Sequence, residues 1–403
     1  GRHEPPGPGL LAPQGGLGLN PGPDAAGFGV YVHWPYCARI CPYCDFNVHR
    51  DRRPGEAVEL ARAIVEDLAR RAAATGPRRL TSVFFGGGTP SLMAPEAVAT
   101  VIAACRSLWE AAPDLEVSLE ANPTDAEAGR FAALAAAGVN RLSLGLQSLD
   151  DEALALLGRN HDAAAGRRAA EVAVAVFPRV SIDLIYARPG QAPEAWAAEL
   201  DAALDLGAGH ISPYQLTIEP GTAFERAVRR GRLSPPADPQ AADLWDVTQA
   251  RLGRAGFEAY EVSNHARTPA DRSRHNLTYW RGGDWLGVGP GAHGRLTLDG
   301  TRRGQVCAAR PADYIAAVAR GAGEGETEAL DLRESAIERA LSGLRLAEGV
   351  AFPELSPLGL SPDHPEVRDL AAQGLVAADP DRLRVTPDGR RLLDAVLERL
   401  LVR

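Results

Sequence analysis

The sequence predicts an α/β protein built on a parallel sheet that closes wholly or partly into a barrel. Three observations carry this. Between residues 28 and 216, six short apolar runs alternate with Ala/Leu/Glu-rich segments of helical period. The runs read as strands buried on both faces, which is the mark of a parallel sheet. Each run ends on a polar or glycine-rich stretch, and barrels carry function at the C-terminal ends of their strands. Six βα units fit a partial or full barrel, with an open doubly wound sheet as the competing arrangement.

Taken in order, the first run is GVYVHW (29–34), and it leads into three cysteines, Cys37, Cys41 and Cys44. The second, LTSVFF (80–85), opens into GGGTP (86–90). The third, LEVSLE (115–120), ends on Glu120, and the fourth, NRLSLGL (140–146), is followed by Gln147. The fifth, VSIDLIY (180–186), carries Asp183, and the sixth, HISPYQL (210–216), ends near Tyr214 and Gln215. Helices are predicted over 55–73, 94–111, 126–137, 151–176 and 193–207 from their apolar periodicity.

The flanking regions read differently. Residues 1–27 are rich in Gly and Pro and lack the apolar block of a signal peptide, so a disordered lead-in is expected. Residues 217–330 are less regular and form a mixed extension that contains YEVSNHA, HNLTYW and GVGPGAHG. Residues 331–403 read as a small module of helices and a short wing, a winged-helix-like shape. Its balance is acidic, which is wrong for reading DNA and fits a structural or docking role.

Composition closes several options. The net charge of −9 argues against a nucleic-acid partner. All 43 basic residues are arginine, so neither a Walker A loop nor a Schiff-base lysine is available. No run of eighteen apolar residues appears. Five cysteines are too few for a disulfide scaffold of this length, and three of them are clustered. That usage fits a reducing compartment, with the cytoplasm as the expected location.

Cysteine thiolates at spacings of four and three residues can wrap an iron–sulfur cluster or bind zinc. A cubane held by three thiolates leaves one iron to an outside ligand. The zinc alternative needs a fourth ligand, for which His33 or His49 is nearby in sequence. Three unrelated cysteines is the remaining alternative.

The order of motifs adds a resemblance. C-x3-C-x2-C after a first strand, followed by FGGGTPSL, EANP, GVNRLSLGLQSLDDEALALLGRNH, DLIYARPGQ, YEVSNHA, HNLTYW and GVGPGAHG, resembles the radical S-adenosylmethionine (SAM) superfamily. Within it, the match is to the coproporphyrinogen-oxidase-like branch and covers nearly all of the chain after residue 28. The resemblance implies a 4Fe–4S cluster on Cys37, Cys41 and Cys44, with SAM on the open iron. Tyr31, Gly87, Gly88, Thr89 and Glu120 would contact that SAM. Gln147, Arg159 and Asp183 match a second SAM site of the oxidases.

The branch holds two functions. Oxidases that decarboxylate coproporphyrinogen III carry a fourth cysteine two positions after the third, where this chain has Phe46. With Phe46 and HNLTYW (275–280), the chain is similar to the haem-chaperone group. His275 is then the expected haem ligand, with His265 and His293 as weaker candidates. The implied partners are haem, a haem-acceptor protein of unstated identity that could be membrane-bound, and a flavodoxin- or ferredoxin-type electron donor if radical chemistry occurs.

Overall fold

The computed structural model describes residues 26–51, 53–125 and 128–402, so the expected lead-in lies outside the described residues apart from its last two. The six expected strands are present as β1 (Phe28–Trp34), β2 (Arg79–Gly87), β3 (Glu110–Ala121), β4 (Arg141–Gln147), β5 (Arg179–Tyr186) and β6 (His210–Gln215). They pair in chain order and in parallel. The helices between them are Glu56–Thr75, Pro95–Leu108, Ala128–Ala136, Asp151–Leu156, Ala163–Val176 and Pro193–Leu204.

The strands are not apolar on both faces. Side chains alternate across a strand with period two. One parity, including Val30, Val32, Val83, Phe85, Val117, Leu119, Leu142, Leu144, Ile182 and Leu184, packs into the main core. The other parity supplies Ser82, Ser118, Glu120, Arg141, Ser143, Ser181, Asp183 and Ser212. The barrel interior is therefore a polar layer, buried but hydrophilic, and that layer holds the site.

The helix expected over 151–176 is broken. Gly158 takes φ 67°, and Asp162 starts a new helix by accepting a bond from the Ala165 N–H at 2.7 Å. A Cβ at Gly158 would lie 2.6 Å from the Pro42 ring, so the break seats against the cysteine loop. It also frees Arg159 to turn toward the cavity.

Residues 217–330 are more ordered than the sequence implied. Strand β9 (Asp284–Val288) adds in parallel beside β1, and β10 (His293–Leu298), β11 (Thr301–Val306) and β12 (Glu326–Ala329) continue antiparallel. Beyond β6 come β8 (Asn264–Ala266) and β7 (Glu258–Glu261). Among the described residues the result is one twelve-stranded sheet, ordered β12-β11-β10-β9-β1-β2-β3-β4-β5-β6-β8-β7 and not closed on itself. The barrel is partial.

The C-terminal residues form helices Leu332–Gly343, Pro365–Ala372, Pro387–Arg391 and Leu393–Leu401 with an antiparallel pair, β13 (Val350–Ala351) and β14 (Arg382–Leu383). They bury a separate core that includes Leu344, Leu355, Leu370 and Val396. This module docks on the motif helix Arg274–Trp280. Arg339 Nη1 donates to the Trp280 carbonyl at 3.0 Å, and the Arg345 guanidinium lies 4.5 Å over the Trp280 ring.

Candidate functional site

The C-terminal strand ends surround a cavity of about 440 Å³. Cys37, Cys41 and Cys44 all line it, as do Gly87, Gly88, Thr89, Glu120, Gln147, Arg159 and Asp183. Two expected residues, Tyr31 and His275, do not.

The cysteine loop is tied at its base. The Cys37 N–H donates to the His49 carbonyl (2.9 Å), and the His49 N–H donates to Pro35 (2.8 Å). Asn47 reaches away from the loop to donate to the carbonyls of Pro290 (2.9 Å) and Ala309 (2.8 Å). The sulfurs also have protein partners. Thr89 Oγ1 donates to Cys37 Sγ at 3.4 Å, and Arg159 Nη1 donates to Cys41 Sγ at 3.4 Å. Burial pushes the Cys44 thiol up to about 11.

The glycine motif is required by packing. The Gly88 N–H donates to the Trp34 carbonyl (2.7 Å), and the Thr89 N–H donates to Tyr36 (2.9 Å). A Cβ on Gly88 would sit 2.7 Å from the Pro35 backbone, and one on Gly87, at φ 109°, would sit 2.5 Å from the His33 ring. Without side chains, the two glycines let β2 run alongside the start of the cysteine loop. Asn122, from EANP, links the parts: it donates to Thr89 Oγ1 (3.1 Å) and accepts from Arg159 (2.6 Å).

Two half-buried carboxylates face the same space. Glu120 accepts from the Gly87 N–H at 3.1 Å, and Asp183 accepts from Ser143 (2.8 Å) and Ser181 (3.1 Å). Burial, reinforced by the charge of Asp183, raises Glu120 to about 7. Burial also raises Asp183, against the pull of its serine bonds and of the Arg141 charge. Gln147 adopts φ 65° at a register shift in β4, a left-handed conformation rare outside glycine. The kink brings its side chain to the cavity rim.

Tyr31 lies behind this wall. Its hydroxyl donates to His33 Nδ1 (3.0 Å), while His33 Nε2 donates to the Asn47 carbonyl (2.9 Å). Neither His33 nor His49 lines the cavity, so neither stands where the zinc alternative needs a fourth ligand. Among the described residues, no three His, Cys, Asp or Glu side chains converge on a single ion. The three cysteines share one cavity, and neither histidine offered for zinc stands among its lining residues.

His275, the expected haem ligand of HNLTYW, is enclosed behind the cavity in this conformation. It is 1 % exposed, Nδ1 is bonded to Ser82 Oγ (2.9 Å) and Nε2 to the Tyr279 hydroxyl (2.6 Å). Whichever tautomer holds, the lone pair is already an acceptor, and burial lowers the ring to about 3. The neighbouring Asn276 lines the cavity instead. His265 is buried against Gln249, and His293 is exposed and away from the cavity. Asn47, Asn122, Arg141 and Asn276 escaped the sequence reading. Their signals were neighbourhood in motifs (DFN, EANP, NRLSL, HNLTYW) and, for Arg141, the inward parity of β4.

A family model described as the radical SAM superfamily matches residues 31–203, and one described as the HemN C-terminal domain matches residues 330–392. Fold and site thus define a radical SAM protein, a class whose cofactors are a 4Fe–4S cluster and SAM. A Bos taurus relative, "Radical S-adenosyl methionine domain-containing protein 1, mitochondrial", is 42% identical over 398 residues, covering 95% of this chain and 89% of that one. "Heme chaperone HemW" of Mycobacterium tuberculosis (strain ATCC 25618 / H37Rv) is 40% identical over 390 residues, covering 95% and 97%. The Escherichia coli K12 protein of that name is 34% identical over 380 residues, covering 92% and 97%. The chain belongs to the HemW family. Its fold is that of E. coli HemN, coproporphyrinogen III oxidase, at a TM-score of 0.77 and 24% identity over 93% of this chain and 90% of that one. Among the described residues, no helix is long and apolar enough to cross a membrane.

Proposed function

We propose that this chain is a haem chaperone: it binds haem at the mouth of the cavity and passes it to an acceptor protein. The observation that carries this is Phe46. It stands where the oxidases have a fourth cysteine, lines the cavity and is 61 % exposed. Ile40 and Tyr214, also exposed, line the same cavity. A flat apolar macrocycle is a natural occupant of such a rim, since exposed aromatic faces stack on it at little entropic cost. The relatives named for haem chaperoning agree with this reading.

Cys37, Cys41 and Cys44 would hold the 4Fe–4S cluster, which when bound supplies a single electron and an open coordination position. Thr89 and Arg159 donate to two of the sulfurs and favour thiolate over thiol. Gly87, Gly88 and Glu120 would hold the methionine end of SAM: the glycines by close approach of backbone, Glu120 as acceptor for an ammonium. Glu120, poised near 7, releases a proton when a cation arrives. Gln147, Arg159 and Asp183 line the same cavity, where a second SAM or the haem edge would meet them. Tyr31 and His275 act as positioning residues behind the site. A reducing compartment suits the thiols; the cattle and mouse relatives carry "mitochondrial" in their names. A flavodoxin- or ferredoxin-type donor is needed only if SAM is cleaved.

The test is anaerobic reconstitution of the cluster, followed by haem titration and an assay for conversion of coproporphyrinogen III to protoporphyrinogen IX. Haem binding without turnover is expected. Robust turnover would transfer the chain to the oxidase function.

A further inference from the structure

We propose that Arg141 and Asn276 form a carboxylate-binding inner end of the cavity, and that the carboxylate they take is a propionate of haem. The haem part rests on the function proposed above.

Arg141 opens β4, is 2 % exposed and lines the cavity. It makes no hydrogen bond or ion pair among the described residues, and its Nε is wholly buried without a partner. Other buried arginines are saturated. Arg71 bonds Asp67, Gln305 and the Gly287 carbonyl, and Arg188 bonds Glu199 and Ser148. The acids around Arg141 are taken. Glu116 accepts from Arg179 and from the N–H groups of Arg274 and His275, and Asp183, bonded to two serines, feels the Arg141 charge without forming an ion pair with it. A guanidinium does not escape burial by losing its proton. A buried guanidinium with no hydrogen-bonded partner carries a desolvation cost of several kcal/mol. A cavity that keeps one is built to have it met by an anion.

Asn276 strengthens the case from another element. It lines the same cavity, and its carboxamide has no partner among the described residues. A guanidinium fork and an amide donor together match a carboxylate.

Depth selects between carboxylates. Glu120 stands in register with Ser143, whereas Arg141 stands in register with Ser118, two residues further from the rim. That is about 7 Å along the strand. A methionine carboxylate held at Gly87 and Gly88 stays near the rim, while a propionate is the deep-reaching arm of a macrocycle seated at Phe46.

The experiment titrates cluster-reconstituted protein with haemin and with haemin dimethyl ester, following absorbance, and measures SAM binding in parallel by equilibrium dialysis. Arg141→Met is expected to weaken haemin binding about 10- to 100-fold, to leave the ester unchanged and to leave SAM bound. Asn276→Leu should act in the same direction more weakly. The ester should bind wild-type protein less tightly than haemin does, a comparison that needs no substitution. Unchanged haemin affinity in Arg141→Met, or equal loss for the ester, overturns this inference alone. Loss of SAM with haemin retained assigns the carboxylate to SAM and also overturns it. Absence of haemin binding by wild-type protein overturns the chaperone function itself.

Discussion

At Gln147 the chain accepts backbone strain in order to aim a side chain. A left-handed non-glycine residue costs on the order of 1–3 kcal/mol, and here it coincides with a register shift at the cavity rim. Gln147→Gly should therefore raise stability by about 1 kcal/mol in chemical denaturation, while weakening whichever ligand the amide meets. Equal or lower stability would mean that Gln147 makes contacts that outweigh the strain. Glu120 gives a pH signature. Its folded value, about 7, lies above the ordinary 4.5, so its neutral form favours the folded state and that contribution is lost as pH rises between those values. The difference is roughly 3 kcal/mol at most. Glu120→Gln should gain melting temperature relative to wild type between pH 5 and pH 8; a pH-independent difference would refute the assignment. His275→Ala should lower the melting temperature through the lost bonds to Ser82 and Tyr279, yet leave haem affinity within about threefold, consistent with a positioning role. A haem complex lost outright, with folding intact, would restore His275 as the iron ligand.

At the scale of elements, the glycine turn and the cysteine loop are one unit. Gly88→Ala must displace the Pro35 backbone, so iron and sulfide content after reconstitution should fall well below wild type while the far-UV circular dichroism stays the same. Full cluster loading would show that the loop shifts freely. The six strands and most helices were legible because burial imposes periodicity on sequence. The polar interior was legible in principle and missed: LEVSLE and RLSLGL alternate, but short apolar runs read as uniformly buried when the eye weighs hydrophobicity over parity. The split of 151–176 had local signals, Gly158 and the capping Asp162, that the apolar periodicity on either side outweighed; only the seating of Gly158 against Pro42 is distant in sequence. The place of His275 was hidden because its partner Ser82 is distant in sequence. A motif says which residues travel together; only packing says that His275 turns to the core and Asn276 to the cavity.

For the whole molecule, helix 274–280 joins barrel and C-terminal module. Its His275 side meets the barrel floor, and its Trp280 end carries Arg339 and Arg345. Arg345 also bonds buried Glu261, which accepts from Asn264 in the sheet. Arg345→Ala should cost about 1–3 kcal/mol by leaving that carboxylate short of a partner. Calorimetry should then show the C-terminal module unfolding at a lower temperature than the barrel; a single unshifted transition would mean that the docking rests on apolar contact alone.

The reach of Asn47 has a consequence in time. Its two acceptors, the Pro290 and Ala309 carbonyls, are made long after the cysteines during synthesis. A nascent chain that has just exposed Cys37–Cys44 cannot fasten the loop until some 260 further residues have left the ribosome. Contacts this non-local form late in folding. A nascent chain halted before residue 290 should hold its cysteine loop only by the local bonds between Cys37, His49 and Pro35, without the Asn47 anchor.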